Sequence, residues 1–112
     1  MKGEIFMEKL SFYGVVVNEN NFTLWGTKEY VECMLKHYDT YFNDILTYRG
    51  YVFLRDIYET LGIPVNRRCL YAGWVNMEKH RSGRISFTCK YDAKRNEFHL
   101  DFNPEANIVK YF

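Results

Sequence analysis

Gly50–Val75, GYVFLRDIYETLGIPVNRRCLYAGWV, packs a short amphipathic helix, its stop signal and the approach to a β-strand into 26 residues. Leu54, Ile57, Tyr58 and Leu61 stand at i, i+3, i+4 and i+7, which is one face of a helix. Gly62 supplies the left-handed residue that ends such a helix, and Pro64 prevents it from resuming. The spacing therefore predicts a helix over 54–61, followed by a strand that contains Gly73 and Trp74.

Upstream, Val31, Leu35, Tyr38, Phe42 and Ile45 recur at steps of four and three, predicting a long helix over 27–48. Thr27 suits its N-cap, Glu29 and Glu32 its positive end, and Arg49-Gly50 its other end. A connection of a few residues around Gly50 makes the two helices neighbours. The long helix carries a second stripe: Tyr30, Met34, His37, Tyr41, Asp44 and Tyr48. A helix with two such faces needs two partners. One is the sheet; the other is residues 9–25, a second copy of the chain or a binding target. Residues 9–25 read as a hairpin, with branched and aromatic runs on either side of Asn18-Glu19-Asn20-Asn21.

Downstream, Ile85, Phe87, Cys89 and Tyr91 alternate with polar residues, and so do Phe98, Leu100 and Phe102. An antiparallel register satisfying both faces sets Cys89 opposite Phe98, Phe87 opposite Leu100 and Ile85 opposite Phe102, with Lys90 facing Glu97 outside. The loop is then Asp92–Arg95, and a preceding strand runs from about Cys69 to Met77 in a sheet spanning 69–103. Ile108, Val109, Tyr111 and Phe112 are expected to tuck back on the core. The fold class is α+β: a single domain over 1–112, with a long and a short helix packed on an antiparallel sheet of three or more strands.

Composition narrows the function classes. Aromatic residues make up 19% of the chain, with ten Tyr, nine Phe and two Trp, more than a small core alone accommodates. Residues 1–61 hold six Lys/Arg against nine Asp/Glu, and residues 62–112 hold nine against five, so the β-rich half is basic. Three widely spaced cysteines and no apolar leader or spanning run point to reduced thiols, no membrane and a cytoplasmic setting.

The block GYVFLRDIYETLGIP, with Gly73-Trp74 and Leu100–Asn103 (LDFN), resembles a group of small uncharacterised α+β proteins carried by bacteriophages and conjugative elements. The resemblance covers residues 29–103. Phe53 departs from the Ser or Thr that usually caps the second helix in that group. The resemblance implies residence on a mobile element. It also implies a role in blocking host machinery, as anti-CRISPR proteins do, or a structural accessory role.

No motif marks an enzyme: there is no phosphate-binding loop, no dinucleotide fingerprint and no zinc-protease signature. Cys69, His80, Cys89 and His99 lack the paired spacing of a structural zinc site, and Cys33 with His37 supplies only two ligands at i, i+4. Cys89 reads as a buried apolar residue. Neither a metal nor a cofactor is expected. Two binding surfaces remain. The stripe Tyr30, Met34, His37, Tyr41, Asp44 and Tyr48 suits a protein partner, such as a host protein, a CRISPR effector nuclease among the candidates, or a second copy in a homodimer. Arg67, Arg68, Lys79, His80, Arg81 and Arg84, with Tyr71 and Trp74 for stacking, suit nucleic acid, although a pI near 7.7 is low for a dedicated binder. The expectation is a non-enzymatic interaction protein, with a small nucleic-acid-binding accessory as the alternative.

Overall fold

The computed structural model describes residues 14–22 and 25–112. The long helix α1 (Lys28–Arg49) forms as its stripe predicts, burying Val31, Leu35, Phe42 and Leu46, with Tyr38 and Ile45 partly buried beside them. Thr27 caps it, its hydroxyl accepting from the Tyr30 N–H at 3.2 Å. Gly50, at φ 90°, closes the other end by donating to Leu46 O. The second helix α2 (Leu54–Leu61) buries all four residues of its stripe and ends at Gly62. Phe53 offers no side-chain acceptor at its N-cap, so only the reciprocal half of a capping box exists. The Asp56 carboxylate accepts from the Phe53 N–H at 3.1 Å and from Arg49 at 3.0 Å.

Between the helices lies a strand where a plain connection was expected. β2 (Tyr51–Phe53) pairs antiparallel with β3 (Gly73–Met77), which continues into the short β4 (His80–Arg81). Among the described residues this makes one of two three-stranded sheets; the other has the order β1-β6-β5, from β1 (Gly14–Val17), β5 (Phe87–Asp92) and β6 (Glu97–Phe102). The fold class is α+β with the strands divided between two antiparallel sheets, whereas the sequence suggested one. Cys69 and Leu70 belong to a 3-10 turn (Arg67–Leu70) because the Asn66 side chain accepts from the Cys69 N–H and caps it. The strand therefore starts at Gly73. The expected N-terminal hairpin is also different: β1 pairs with β6, and the chain after it folds back through an Asn18–Asn21 turn to bury Phe22. Residues 9–13, 23 and 24 of that hairpin lie outside the described residues.

The β5–β6 hairpin keeps its predicted faces but not its register. Phe87 pairs with Phe102, Cys89 with Leu100, Tyr91 with Phe98 and Asp92 with Glu97, two residues away from the expected alignment. A shift of two leaves every side chain on the same face, so alternation alone cannot distinguish the two registers. Turn chemistry decides. Asp92 Oδ1 accepts from the backbone N–H groups of Lys94 and Arg95, and Asn96 takes the left-handed conformation at φ 53°, which asparagine tolerates. The loop is therefore residues 93–96. Ile85 is buried but stands outside the strand, because the Asn43 side chain of α1 occupies its backbone. Ile85 N–H donates to Asn43 Oδ1 at 2.8 Å, and Asn43 Nδ2 donates to Ile85 O at 3.0 Å.

The main core joins the α1 and α2 stripes to Val17, Phe98, Leu100 and Phe102 of one sheet and Val52 and Trp74 of the other. Val75 and Ile108 are fully buried yet outside that cluster. The C-terminal segment therefore covers the far face of the second sheet and does not return to the main core. Its 3-10 turn (Val109–Tyr111) leads Phe112 onto Tyr51 and Phe53, with ring centroids 5.1 and 6.0 Å apart.

Candidate functional site

At 100° per residue, Tyr30, Met34, His37, Tyr41, Asp44 and Tyr48 fall within about 40° of one line along α1. Tyr30, Tyr41 and Tyr48 are 46%, 45% and 89% exposed, so the stripe faces solvent along some five turns of helix. His37 and Asp44 are exposed beside them, and Met34 is half-buried. Two of the tyrosines have close neighbours, and for Tyr41 one of them is the buried Phe42. The Tyr41 ring stands edge-on to Phe42 at 5.4 Å and to Tyr38 at 6.0 Å, while Tyr30 lies against the Gly26 backbone. A ring already held by its neighbours loses little rotamer freedom on contact, which is the property a binding anchor needs.

The basic residues are spread over separate elements. Arg67 and Arg68 project from the 3-10 turn, with Tyr71 49% exposed just after it. Lys79 and Arg81 sit at the β3–β4 turn, where Arg81 Nε donates to Asn76 Oδ1 at 3.1 Å. Arg84 is turned toward α1, where it pairs with Asp39. Trp74, expected to offer a stacking face, is 1% exposed and donates its indole N–H to Asn103. Its place in β3, opposite Val52, points it into the core.

Around Glu105 the fold assembles a polar cluster that sequence spacing does not announce. Glu105 Oε2 lies 2.7 Å from His80 Nε2 and also accepts from Ser82 Oγ; Oε1 accepts from Tyr111 OH at 2.9 Å. The His80 and Tyr111 rings stack at 4.3 Å. Serine, histidine and a carboxylate are present, but the serine donates to the carboxylate, not to the imidazole, and its Oγ also accepts from Val75 N–H. Nucleophile activation requires the opposite arrangement, with the serine proton on a base. The cluster is a latch for the C-terminal segment. A signal was available only in His80-x-Ser82, whose alternation gives no hint of a partner 23 residues away.

Burial pushes the Glu105 carboxyl up, but the hydrogen bonds from Ser82, His80 and Tyr111 outweigh it, so its pKa lies below the ordinary 4.5. A carboxylate whose folded pKa is depressed contributes stability that is complete above the unfolded value and lost as pH falls through the folded one. Urea unfolding at stepped pH should show wild type losing stability below pH 4.5 relative to Glu105→Gln, which cannot titrate. At neutral pH the variant should be the weaker of the two. Parallel curves below that pH would remove Glu105 from the latch.

A groove of about 410 Å³ separates α1 from β5, lined by Glu32, Leu35, Lys36 and Asp39 on one side and Arg84, Ser86, Phe87 and Cys89 on the other. Cys89 is exposed there, contrary to the buried position its alternation suggests, because β5 is the outer strand of its sheet. Partial burial of the thiol and the nearby Glu32 carboxylate push its pKa up to about 11, which makes it a poor nucleophile at neutral pH. Cys69 is buried against Asn66, and His80 is engaged by Glu105, so the Cys/His residues of the zinc question lie on separate elements. A different trio does converge. Asp92, Glu97 and His99 bring one ligand atom each to within 4.8 Å of one another.

No helix among the described residues is long and apolar enough to cross a membrane. No curated protein and no solved structure matches the chain. A family model described as a family of unknown function, DUF6353, matches residues 13–112, which takes in both sheets, both helices and the latched C-terminal segment. The chain therefore belongs to the DUF6353 family.

Proposed function

We propose that the protein is a non-enzymatic binding protein that works by laying the tyrosine face of α1 against another protein. The carrying observation is the solvent exposure of Tyr30, Tyr41 and Tyr48 on a single line, with the Tyr41 ring resting on the buried Phe42. Tyrosine combines a large rigid contact area with a hydroxyl, and such residues dominate the energetics of many interfaces. Lack of an activated nucleophile at Ser82 and the raised pKa of Cys89 support the non-enzymatic reading. A phage or mobile-element origin, and a host protein such as a CRISPR effector nuclease as the target, rest on the sequence resemblance alone. The alternative, a nucleic-acid accessory, is less supported, since Arg84 is paired with Asp39 and Trp74 is buried.

Tyr41→Ala combined with Tyr48→Ala should weaken capture of the partner from host lysate by about thirtyfold or more, the effect of losing a binding hot spot. Folding stability should change by only about 0.5 kcal/mol, as is usual for surface positions. Capture that survives the double variant but disappears with nuclease treatment, or with Arg67, Arg68 and Arg81 changed to Glu, would favour the nucleic-acid reading instead.

A further inference from the structure

The closing end of the β5–β6 hairpin places two carboxylates directly opposite each other. Asp92 pairs with Glu97 across the strands, and His99 follows two residues later on the same face. Opposed like charges weaken a sheet, and here Glu97 is also withdrawn from water, its side chain 12% exposed beside His99 at 24%. Lys90, opposite His99, is exposed and stands two pairs further along the hairpin. The turn accounts for Asp92, whose Oδ1 accepts from two backbone N–H groups, and His99 contacts Glu97 at 2.9 Å, but neither contact offsets the repulsion between the two carboxylates. A cation bound between the carboxylates removes the conflict.

We infer that Asp92, Glu97 and His99 form a binding site for a divalent first-row metal ion, with zinc as its representative. The donor set is two carboxylate oxygens and one imidazole nitrogen. Imidazole favours zinc, iron, nickel or copper over magnesium and calcium, and the lack of a thiolate in the trio disfavours cuprous copper. Three protein ligands leave one position of a tetrahedral ion open to water. Tetrahedral ligand atoms at zinc bond lengths stand about 3.4 Å apart. His99 Nε2 and Glu97 Oε2 are already at 2.9 Å, and all three donors lie within 4.8 Å, so rotation about side-chain bonds closes the set. The Lys94 and Arg95 backbone N–H groups hold Asp92 Oδ1, the kind of second contact that orients a ligating carboxylate. The ion would staple the turn end of the hairpin on the face turned away from α1. The site is therefore independent of the tyrosine surface.

Titration calorimetry of the metal-stripped full chain with zinc chloride should give one ion per chain, with magnesium and calcium binding far more weakly. Asp92→Asn keeps the turn acceptor and should fold normally. It and His99→Ala should each weaken zinc binding by about tenfold or more. Cys33→Ser with His37→Ala, which removes the only i, i+4 thiol–imidazole pair on α1, should bind as wild type does. Imidazole nitrogen NMR gives a second reading: zinc should move the His99 signals and leave those of His37 and His80 in place. Absence of zinc binding, undiminished binding in both Asp92→Asn and His99→Ala, or loss of binding in the Cys33/His37 variant would overturn the assignment.

Discussion

Gly73→Ala is expected to destabilise the protein by about 3 kcal/mol, the upper end for forcing an extra carbon into a packed interior. A Cβ at this position would lie 2.3 Å from Val52 O and 2.9 Å from both Phe53 Cα and Ile108 Cδ1. Ile108 has a side chain that rotates away. The Val52 carbonyl does not, because it belongs to β2 and moving it breaks the β2–β3 pairing. Gly73 is tied down on its other edge as well, exchanging two backbone hydrogen bonds with Glu105 at 3.0 and 2.9 Å. The added methyl thus pushes at once on β2, on β3 and on the strap of chain that carries the latch. Gly83→Ala is the control. Its Cβ would meet nothing within 4 Å, so only the left-handed backbone at φ 94° penalises it, by about 1–2 kcal/mol. Urea unfolding of both variants measures the difference. If Gly73→Ala costs no more than Gly83→Ala, the close approach of β2 to β3 is not a real constraint. Ile108→Ala added to Gly73→Ala should fail to restore stability, since the carbonyl clash remains.

Gly73 also shows what a sequence can and cannot tell. The Gly-Trp pair marks the start of β3 correctly, yet the reason for glycine lies in a strand 20 residues earlier that has only three residues and no periodicity of its own. Three residues are too few to alternate, so β2, and with it the division into two sheets, stays hidden. The helices are legible because each carries a full 3.6-residue stripe ended by a glycine, and the same geometry puts Tyr30, Tyr41 and Tyr48 of α1 on one line. The hairpin is legible in its faces and not in its register, because a two-residue slip preserves every inward and outward assignment. That slip also concealed Asp92 opposite Glu97, which the expected pairing replaced with a favourable Lys90–Glu97 contact. The Glu105 cluster depends on where the C-terminal segment docks, a long-range choice that no local pattern encodes. Arg84 reads as part of a basic rim only until Asp39, 45 residues earlier, is seen beside it.

Asn43 is a position where a single side chain stands in for ladder partners, and its loss is expected to cost about 2–4 kcal/mol. Its amide meets both backbone groups of Ile85, a residue that is fully buried but belongs to no strand. It also donates to Asp39 O at 2.8 Å, within its own helix. Asn43→Leu keeps the volume and removes both partners, leaving an N–H and a C=O without hydrogen bonds beside the core. Each such group costs about 1–3 kcal/mol. Asn43→Asp separates the two halves of the contact. The carboxylate can still accept from the Ile85 N–H, but it presents a second oxygen to the Ile85 carbonyl and adds a charge next to Asp39. It should therefore be destabilised at neutral pH and partly restored when acid protonates the new carboxyl and returns a donor. Hydrogen exchange reports the same contact directly. The Ile85 amide should be protected in wild type, despite lying outside the ladder, and should exchange much faster in Asn43→Leu. If its protection and the unfolding free energy both stay within about 0.5 kcal/mol of wild type, as at an ordinary surface site, then α1 does not hold the start of β5 through this amide. The groove between α1 and β5 would then need another explanation for its shape.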